Sequence, residues 1–313
     1  MLPDSNVSIQ PQPAASRGST TPFRALGGLD DLPTWVRRIA PRETSQPGGA
    51  VPAVAVHHGA CAQVRSVIVR DVDGLAPTRF EDAARAAYAP LLAAQPGSMR
   101  LIRVWNFVPA INQALAPQFD RYMNFNAGRR AAFADARWAD GSYPASTGVG
   151  HAGRDLVVHG LFAPWPCEPV ENPRQVPAWR YSRRYGPASP SFARAARIDR
   201  GGRTMVIVAG TASIVGEDSA HASSLDGQLD ETLRNLRALL TAALGDGQVD
   251  PLAHLSSLRA YVPRSEDVGV VAGRLAGDGA LRACEREIVC APLCRRELLV
   301  EIEGVCGDRA AWE

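Results

Sequence analysis

The sequence predicts an α+β protein made of a duplicated module, with helices packed on one face of each sheet. Two observations carry the duplication. Both halves read strand, helix, strand, helix, strand, and a Pro-rich connection over residues 164–177 separates them. A third observation lies at the end of the chain. There Leu298, Val300 and Ile302 alternate with Leu299, Glu301 and Glu303, a period of two that suits a strand covered on one face. The face carrying the two acids is either a solvated surface or the lining of a site. The implied division is an arm over 1–30, a first domain over 31–165 and a second over 166–313 that carries most of the site.

Taken in order, residues 1–30 are rich in Pro, Ser, Gln and Gly without periodicity and read as a disordered arm. Residues 64–72 are a strand. Residues 80–94 place Ala84, Ala87, Leu91 and Leu92 on one helical face, and 101–108 form the next strand. Residues 119–136 have helical spacing that Asn126-Ala127-Gly128 interrupts, and 155–163 are strand-like. The second half begins with a short strand over 204–208. Residues 229–244 are the best helix, with Leu229, Leu233, Leu236, Leu240 and Ala243 on one stripe. Asp226 is its candidate cap and Gly245 its stop. Strands at 255–262 and 286–290 flank a helix at 265–275, and the final strand occupies 298–302.

Composition narrows the function classes. A net charge of +2 gives no ground for a general nucleic-acid or membrane-surface binder. No apolar run is long enough to span a bilayer, and no charged segment followed by an apolar core marks a secretory signal, so a cytoplasmic protein is expected. Every basic residue is Arg. That excludes a Schiff-base or P-loop lysine and makes any anion grip a guanidinium, which suits planar carboxylates. Four of the six cysteines (Cys284, Cys290, Cys294, Cys306) lie near the C-terminus, but their spacings match no zinc pattern and no His lies among them. No metal is expected.

Three stretches could carry chemistry. Residues 121–129 put Tyr122 and Arg129 beside a Gly-containing break, either as site residues or as a core tyrosine and a solvated arginine. Residues 172–194 hold five arginines and four prolines with neither helical nor strand period. A long irregular segment of this kind is more often a binding loop than filler. A small dianion gripped by two arginines suits it better than a nucleic acid. Gly210-Thr211-Ala212-Ser213 follows a strand with small side chains, so backbone can approach a ligand there. Glu217, Asp218 and His221 read as a hydrated loop, and His151 and His159 receive no role.

These stretches carry a family resemblance. The C-terminal half resembles the Rid (YjgF/RidA-type, chorismate mutase-like) fold through Leu-Arg-Asn-Leu-Arg-Ala-Leu-Leu in its long helix and the ending Val300-Glu301-Ile302-Glu303-Gly304. From about residue 60 the chain resembles the chorismatases, which remove pyruvate from chorismate on a Rid-like fold. The matching stretches are 122–129, 143–150, 172–194, 210–216 and 294–301. The resemblance implies two Rid-like modules of mixed sheet, with Glu301 as the catalytic acid. It implies Tyr122, Arg129, Tyr181 and Arg194 as substrate-gripping groups, with Gly210, Thr211 and Ala212 against the ring. A cysteine at position 294 goes with the subclass that aromatises chorismate to 3-hydroxybenzoate. The hydrolytic subclass has a smaller residue there and makes 3,4-dihydroxycyclohexa-1,5-dienoate, and a bifunctional branch also makes 4-hydroxybenzoate. No cofactor is implied. Chorismate is the only implied partner, without nucleic acid or membrane, and the assembly is a monomer or a homotrimer. The chain departs from simple Rid deaminases, which carry an essential Arg two residues before a Cys. If Cys290 is that cysteine, the position is Ile288, so imine hydrolysis is not expected. A non-catalytic Rid-like protein that binds a small acid is the competing class.

Overall fold

Two sheets with the same strand order build the protein. The computed structural model describes residues 19–21, 31–45, 52–93, 98–247 and 249–307. The first elements are β1 (Ser19–Thr21), α1 (Thr34–Ile39), β2 (Arg42–Ser45), β3 (Ala53–His58) and β4 (Gln63–Val69). Next come α2 (Pro77–Leu92), β5 (Arg100–Pro109), a small hairpin of β6 (Ala114–Ala116) and β7 (Phe119–Asp120), and α3 (Arg121–Asp135). β8 (Ala145–His151) and β9 (Leu156–Ala163) close the first module. The second runs through β10 (Cys167–Val170), β11 (Ala195–Arg200), β12 (Arg203–Ala212), a hairpin of β13 (Ile214–Val215) and β14 (Asp218–Ser219), and α4 (Leu225–Leu244). It ends with β15 (Leu255–Val262), α5 (Val268–Gly277), β16 (Glu285–Cys290) and β17 (Glu301–Cys306).

The first sheet has the order β2-β3-β4-β9-β5-β8 and the second β10-β11-β12-β17-β15-β16, with β1 added in parallel beyond β16. In both, the last strand of the module inserts between its third and fourth, and its fourth and fifth strands pair in parallel. This is the expected duplication, with six strands per module among the described residues where the sequence pattern marked three in the first half and four in the second. The strands missed include β8 (Ala-Ser-Thr-Gly-Val-Gly-His) and β11 (Ala-Ala-Arg-Ile-Asp-Arg), whose small and charged residues have weak strand preference. In the ladders, Gly304 lies opposite Leu258 of β15, and Gly160 lies opposite Val104 of β5. Aligning the modules on these glycines puts Val157 where the second module has Glu301, and His159 where it has Glu303. Only one copy of the duplicated strand carries the acids.

The layers run helix, sheet, sheet, helix. α2 and α3 pack on the outer face of the first sheet around Phe80, Tyr88 and Phe125, and α4 and α5 on the outer face of the second around Leu229, Leu240 and Val271. The inner faces meet through Trp105, Phe107, Val157, Ile207 and Tyr261. Strand alternation assigns the faces: Val206 and Val208 of β12 pack under the helices, and Met205, Ile207 and Ala209 between the sheets. Burial of both faces explains why the central strands read as nearly continuous apolar runs.

Four expectations need correction. Asn126-Ala127-Gly128 does not interrupt α3. A Cβ on Gly128 would lie 2.3 Å from the Glu81 carbonyl oxygen and 2.8 Å from Ala84 Cβ, so this glycine lets α2 and α3 touch. α4 is capped by Ser224, whose hydroxyl accepts from the Gly227 amide at 3.0 Å, while Asp226 sits in the first turn and Gly245 ends the helix at φ 88°. The last strand begins at Glu301, three residues later than its alternation suggests. The Leu299 amide donates to Gln228 Oε1 (2.8 Å) and Gln228 Nε2 to the Glu297 carbonyl (2.7 Å), so a side chain of α4 takes the place of a neighbouring strand. Within the stretch read as a disordered arm, Ser19–Thr21 pairs with β16; residues 1–18 and 22–30 lie outside the described residues. No described helix is long and apolar enough to cross a membrane.

Candidate active site

β12 is irregular where it matters. Its register against β17 jumps between the pairs Val208–Gly304 and Thr211–Ile302, so an extra residue bulges out around Gly210. Beside this bulge lies a cavity of about 270 Å³ at the seam between the modules. α3 contributes Tyr122 and Arg129, β8 contributes Ser146 and Gly148, and the loop before β11 contributes Tyr181, Phe192 and Arg194. Gly210, Ala212, Cys294 and Glu301 close it from the second module. Eight of the nine residues expected from the sequence therefore share one cavity. The ninth, Thr211, does not line it, and its hydroxyl donates to the Ala209 carbonyl of its own strand (3.1 Å).

The Glu301 carboxyl rests against the Gly210 Cα. A Cβ there would lie 1.9 Å from Glu301 Oε1 and 2.7 Å from its Cδ. Gly210→Ala is therefore expected to fold but to push the carboxyl aside. If that carboxyl is the reacting group, steady-state kinetics should show kcat reduced on the order of 100-fold with a smaller change in KM.

Glu301 and Glu303 share one strand face but differ in environment. Glu303 (3% exposed) accepts from Arg103 Nη2 (2.6 Å), Thr147 Oγ1 (2.6 Å), Tyr261 OH (2.9 Å) and Trp105 Nε1 (3.1 Å). It is a carboxylate in a cradle of donors and pairs with a buried guanidinium. Burial, reinforced by the charge of Glu303, pushes the Glu301 carboxyl up to about 8, although Arg103 and Arg194 pull it the other way. A buried carboxyl held up in this way is an acid that keeps its proton near neutral pH.

The guanidiniums are arranged with equal asymmetry. Arg103 pairs with Glu303 and Arg259 with Glu287, while Arg121 is taken up by Gln113 and the carbonyls of Val72 and Asp73. Arg129 and Arg194, both buried, form no direct ion pair among the described residues, although the charge of Glu171 acts on Arg194, and each keeps a buried Nε without a hydrogen-bond partner. Arg129 donates to Asn126 Oδ1 (2.6 Å), and Arg194 donates to the Tyr181 hydroxyl (2.6 Å) and the Val176 carbonyl (3.2 Å). Phe192 stands between them, its ring centre 5.6 Å from one guanidinium carbon and 5.0 Å from the other, which offsets part of the cost of burying the charges. Two unpaired buried cations facing one cavity suit a small diacid.

Cys294 lies in the loop before β17. Burial and the neighbouring Glu301 push its thiol up to about 12, so it stays a neutral thiol and is no nucleophile at neutral pH. Burial likewise raises Tyr122, so it remains a hydrogen-bonding phenol. The remaining arginines of residues 172–194 act elsewhere or at the rim. Arg174 bonds Glu231 and Asn235 of α4, and Arg184 at the cavity mouth pairs with Asp218. Arg295 lies 4.0 Å over the Tyr185 ring. His151 and His159 are bonded to Asp155 and Ser66, and neither lines the cavity.

Sequence reasoning missed Arg103, Thr147 and Phe192. A charge inside the apolar run of β5 was the available signal for Arg103, because such a residue is rarely buried unless paired. Thr147 and Phe192 gave none of their own.

Comparison with known proteins adds four findings. The description "Chorismatase FkbO/Hyg5-like, N-terminal" matches residues 48–162. Over 242 residues the chain is 36% identical to a 3-hydroxybenzoate synthase of Streptomyces hygroscopicus, spanning 72% of this chain and 70% of that protein. Over 219 residues it is 33% identical to a chorismatase of Streptomyces rapamycinicus, spanning 67% and 64%. The crystal structure of a chorismatase, 26% identical, matches with a TM-score of 0.70 over 85% of this chain and 79% of that one.

Proposed function

The chain belongs to the chorismatase family, and on that footing we propose that it cleaves chorismate to 3-hydroxybenzoate and pyruvate with Glu301 as the acid. One observation carries the reading: a buried carboxyl raised to about 8 faces the same cavity as two buried, unpaired guanidiniums. Chorismate presents the complementary features, two carboxylates and an acid-labile enol ether.

Arg129 and Arg194 take the two carboxylates and orient the ring, while Tyr122 and Tyr181 donate to the same oxygens and wall it. Glu301 delivers its proton to the enol methylene, leaving an oxocarbenium-like carbon. The ring hydroxyl then displaces the pyruvyl oxygen, and its proton returns to the Glu301 carboxylate. Opening of the resulting three-membered ring and loss of a ring proton give 3-hydroxybenzoate. The two products together contain the atoms of chorismate, so the reaction consumes neither water nor oxidant. The neutral Cys294 thiol beside Glu301 occupies space that a hydrolytic water needs, and acts on product choice.

Six cysteines outside disulfides suit a reducing cytoplasm. In incubation with chorismate, followed by pyruvate assay and chromatography, equal amounts of pyruvate and 3-hydroxybenzoate are expected. Pyruvate with a non-aromatic diol acid contradicts the assignment of Cys294. Binding of chorismate without pyruvate release contradicts the enzyme reading and favours a small-acid-binding protein.

A further inference from the structure

We propose that Thr147 is a positioning residue for the acid, fixing the β12 bulge against which the Glu301 carboxyl rests. The inference rests on the reading of Glu301 as the acid. Thr147 belongs to β8, the edge strand of the first module, and is buried at 2% exposure. Its hydroxyl donates to Glu303 Oε2 (2.6 Å) and accepts from the Gly210 amide (2.9 Å) and from Arg103 Nη2. One donor and two acceptors exhaust what a hydroxyl can do. The Gly210 bond matters most. A bulge leaves its extra residue outside the ladder, and the Gly210 amide finds its partner in a side chain from the other module. Thr147 therefore ties three things together: the Glu303 carboxylate, the Arg103 guanidinium and the backbone that carries Glu301.

The groups that face Glu301 define what loosening this tie does. They are Glu303 on its own strand, Arg103 from β5, Arg194 from the loop before β11, Cys294 from the preceding loop and Tyr122 from α3. The two guanidiniums favour the ionised carboxyl. A relaxed bulge frees the carboxyl to approach them, so it gives up its proton at lower pH.

The experiment compares Thr147→Val, which keeps the shape and loses the hydroxyl, with Thr147→Ser, which keeps the hydroxyl. With chorismate, Thr147→Val is expected to lose kcat on the order of 100-fold. Its KM should change little, because Thr147 touches none of the substrate-gripping side chains. The alkaline fall of its pH–rate profile should move to lower pH. Thr147→Ser should stay within a few-fold of wild type on all three measures. If Thr147→Val does not fold, Thr147→Ala replaces it with the same expectations. Unchanged kcat and pH profile in the hydroxyl-free variant overturn the proposal, as does equal loss in Thr147→Ser, which would make the methyl group responsible. Difference infrared titration of the Glu301 carboxyl, assigned with Glu301→Gln, gives a readout that needs no turnover. If wild type releases no pyruvate, the functional reading fails. The shift of that carboxyl between wild type and Thr147→Val still decides the role of Thr147.

Discussion

Glu301→Gln is expected to lose pyruvate release from chorismate by about 10³-fold, within the usual range for a positioned general acid, and to be more stable than wild type. The stability gain follows from the raised carboxyl. In the unfolded chain the group ionises near its ordinary value of 4.5, and in the folded protein near 8. Between those values the folded protein holds a proton that the unfolded chain releases, so this residue makes wild-type stability fall as pH rises through the window. Glutamine keeps the shape and does not titrate. The variant and wild type should match near pH 4 in urea melts and separate by roughly 3 kcal/mol at pH 7. A variant that keeps near-normal turnover removes the acid assignment. One that loses stability at pH 7 contradicts the protonated, buried carboxyl.

Glu303→Gln, two residues along the same strand, is expected to do the opposite to stability. It leaves Arg103, 1% exposed, without its carboxylate, and an uncompensated buried charge costs about 3–5 kcal/mol. The same substitution removes the charge that helps keep Glu301 protonated and leaves Arg103 to favour its ionised form. The alkaline fall in kcat/KM should therefore move to lower pH. Equal melting behaviour in wild type and Glu303→Gln would show that the Arg103–Glu303 pair does not hold the seam.

These opposed effects separate what the chain reveals in one dimension from what needs three. The alternation around Glu301 and Glu303 marks a face with two acids, but not their partners. Arg103 and Thr147 are remote in sequence and meet Glu303 only because the inner faces of two sheets are opposed. The duplicated order was legible because α4, β15 and the central strands have strong periods. β8 and β11 were not, since small residues there serve close packing and the cavity. Gly148 shows the reason: a Cβ on it would lie 3.2 Å from the Tyr122 ring. The stretches around Tyr122, Arg129, Tyr181 and Arg194 stood out by composition, but the roles of these residues and of Cys294 came from the family pattern. That pattern also named Thr211, whose side chain caps its own strand. The start of β17 was misplaced because Gln228, a side chain, substitutes for a strand neighbour, and no periodicity encodes that.

The proposed reaction turns on a buried carboxyl that holds its proton at neutral pH and delivers it to the enol ether. Its most direct test is the pH dependence of kcat/KM for pyruvate release, measured from pH 5 to 10 with chorismate as substrate. With Glu301 as the acid, the rate is level at the acidic end and falls tenfold per pH unit above about 8, where the free enzyme loses the Glu301 proton. A rate that climbs through the same range would mean that the working group must be ionised, and would contradict Glu301 as a protonated acid.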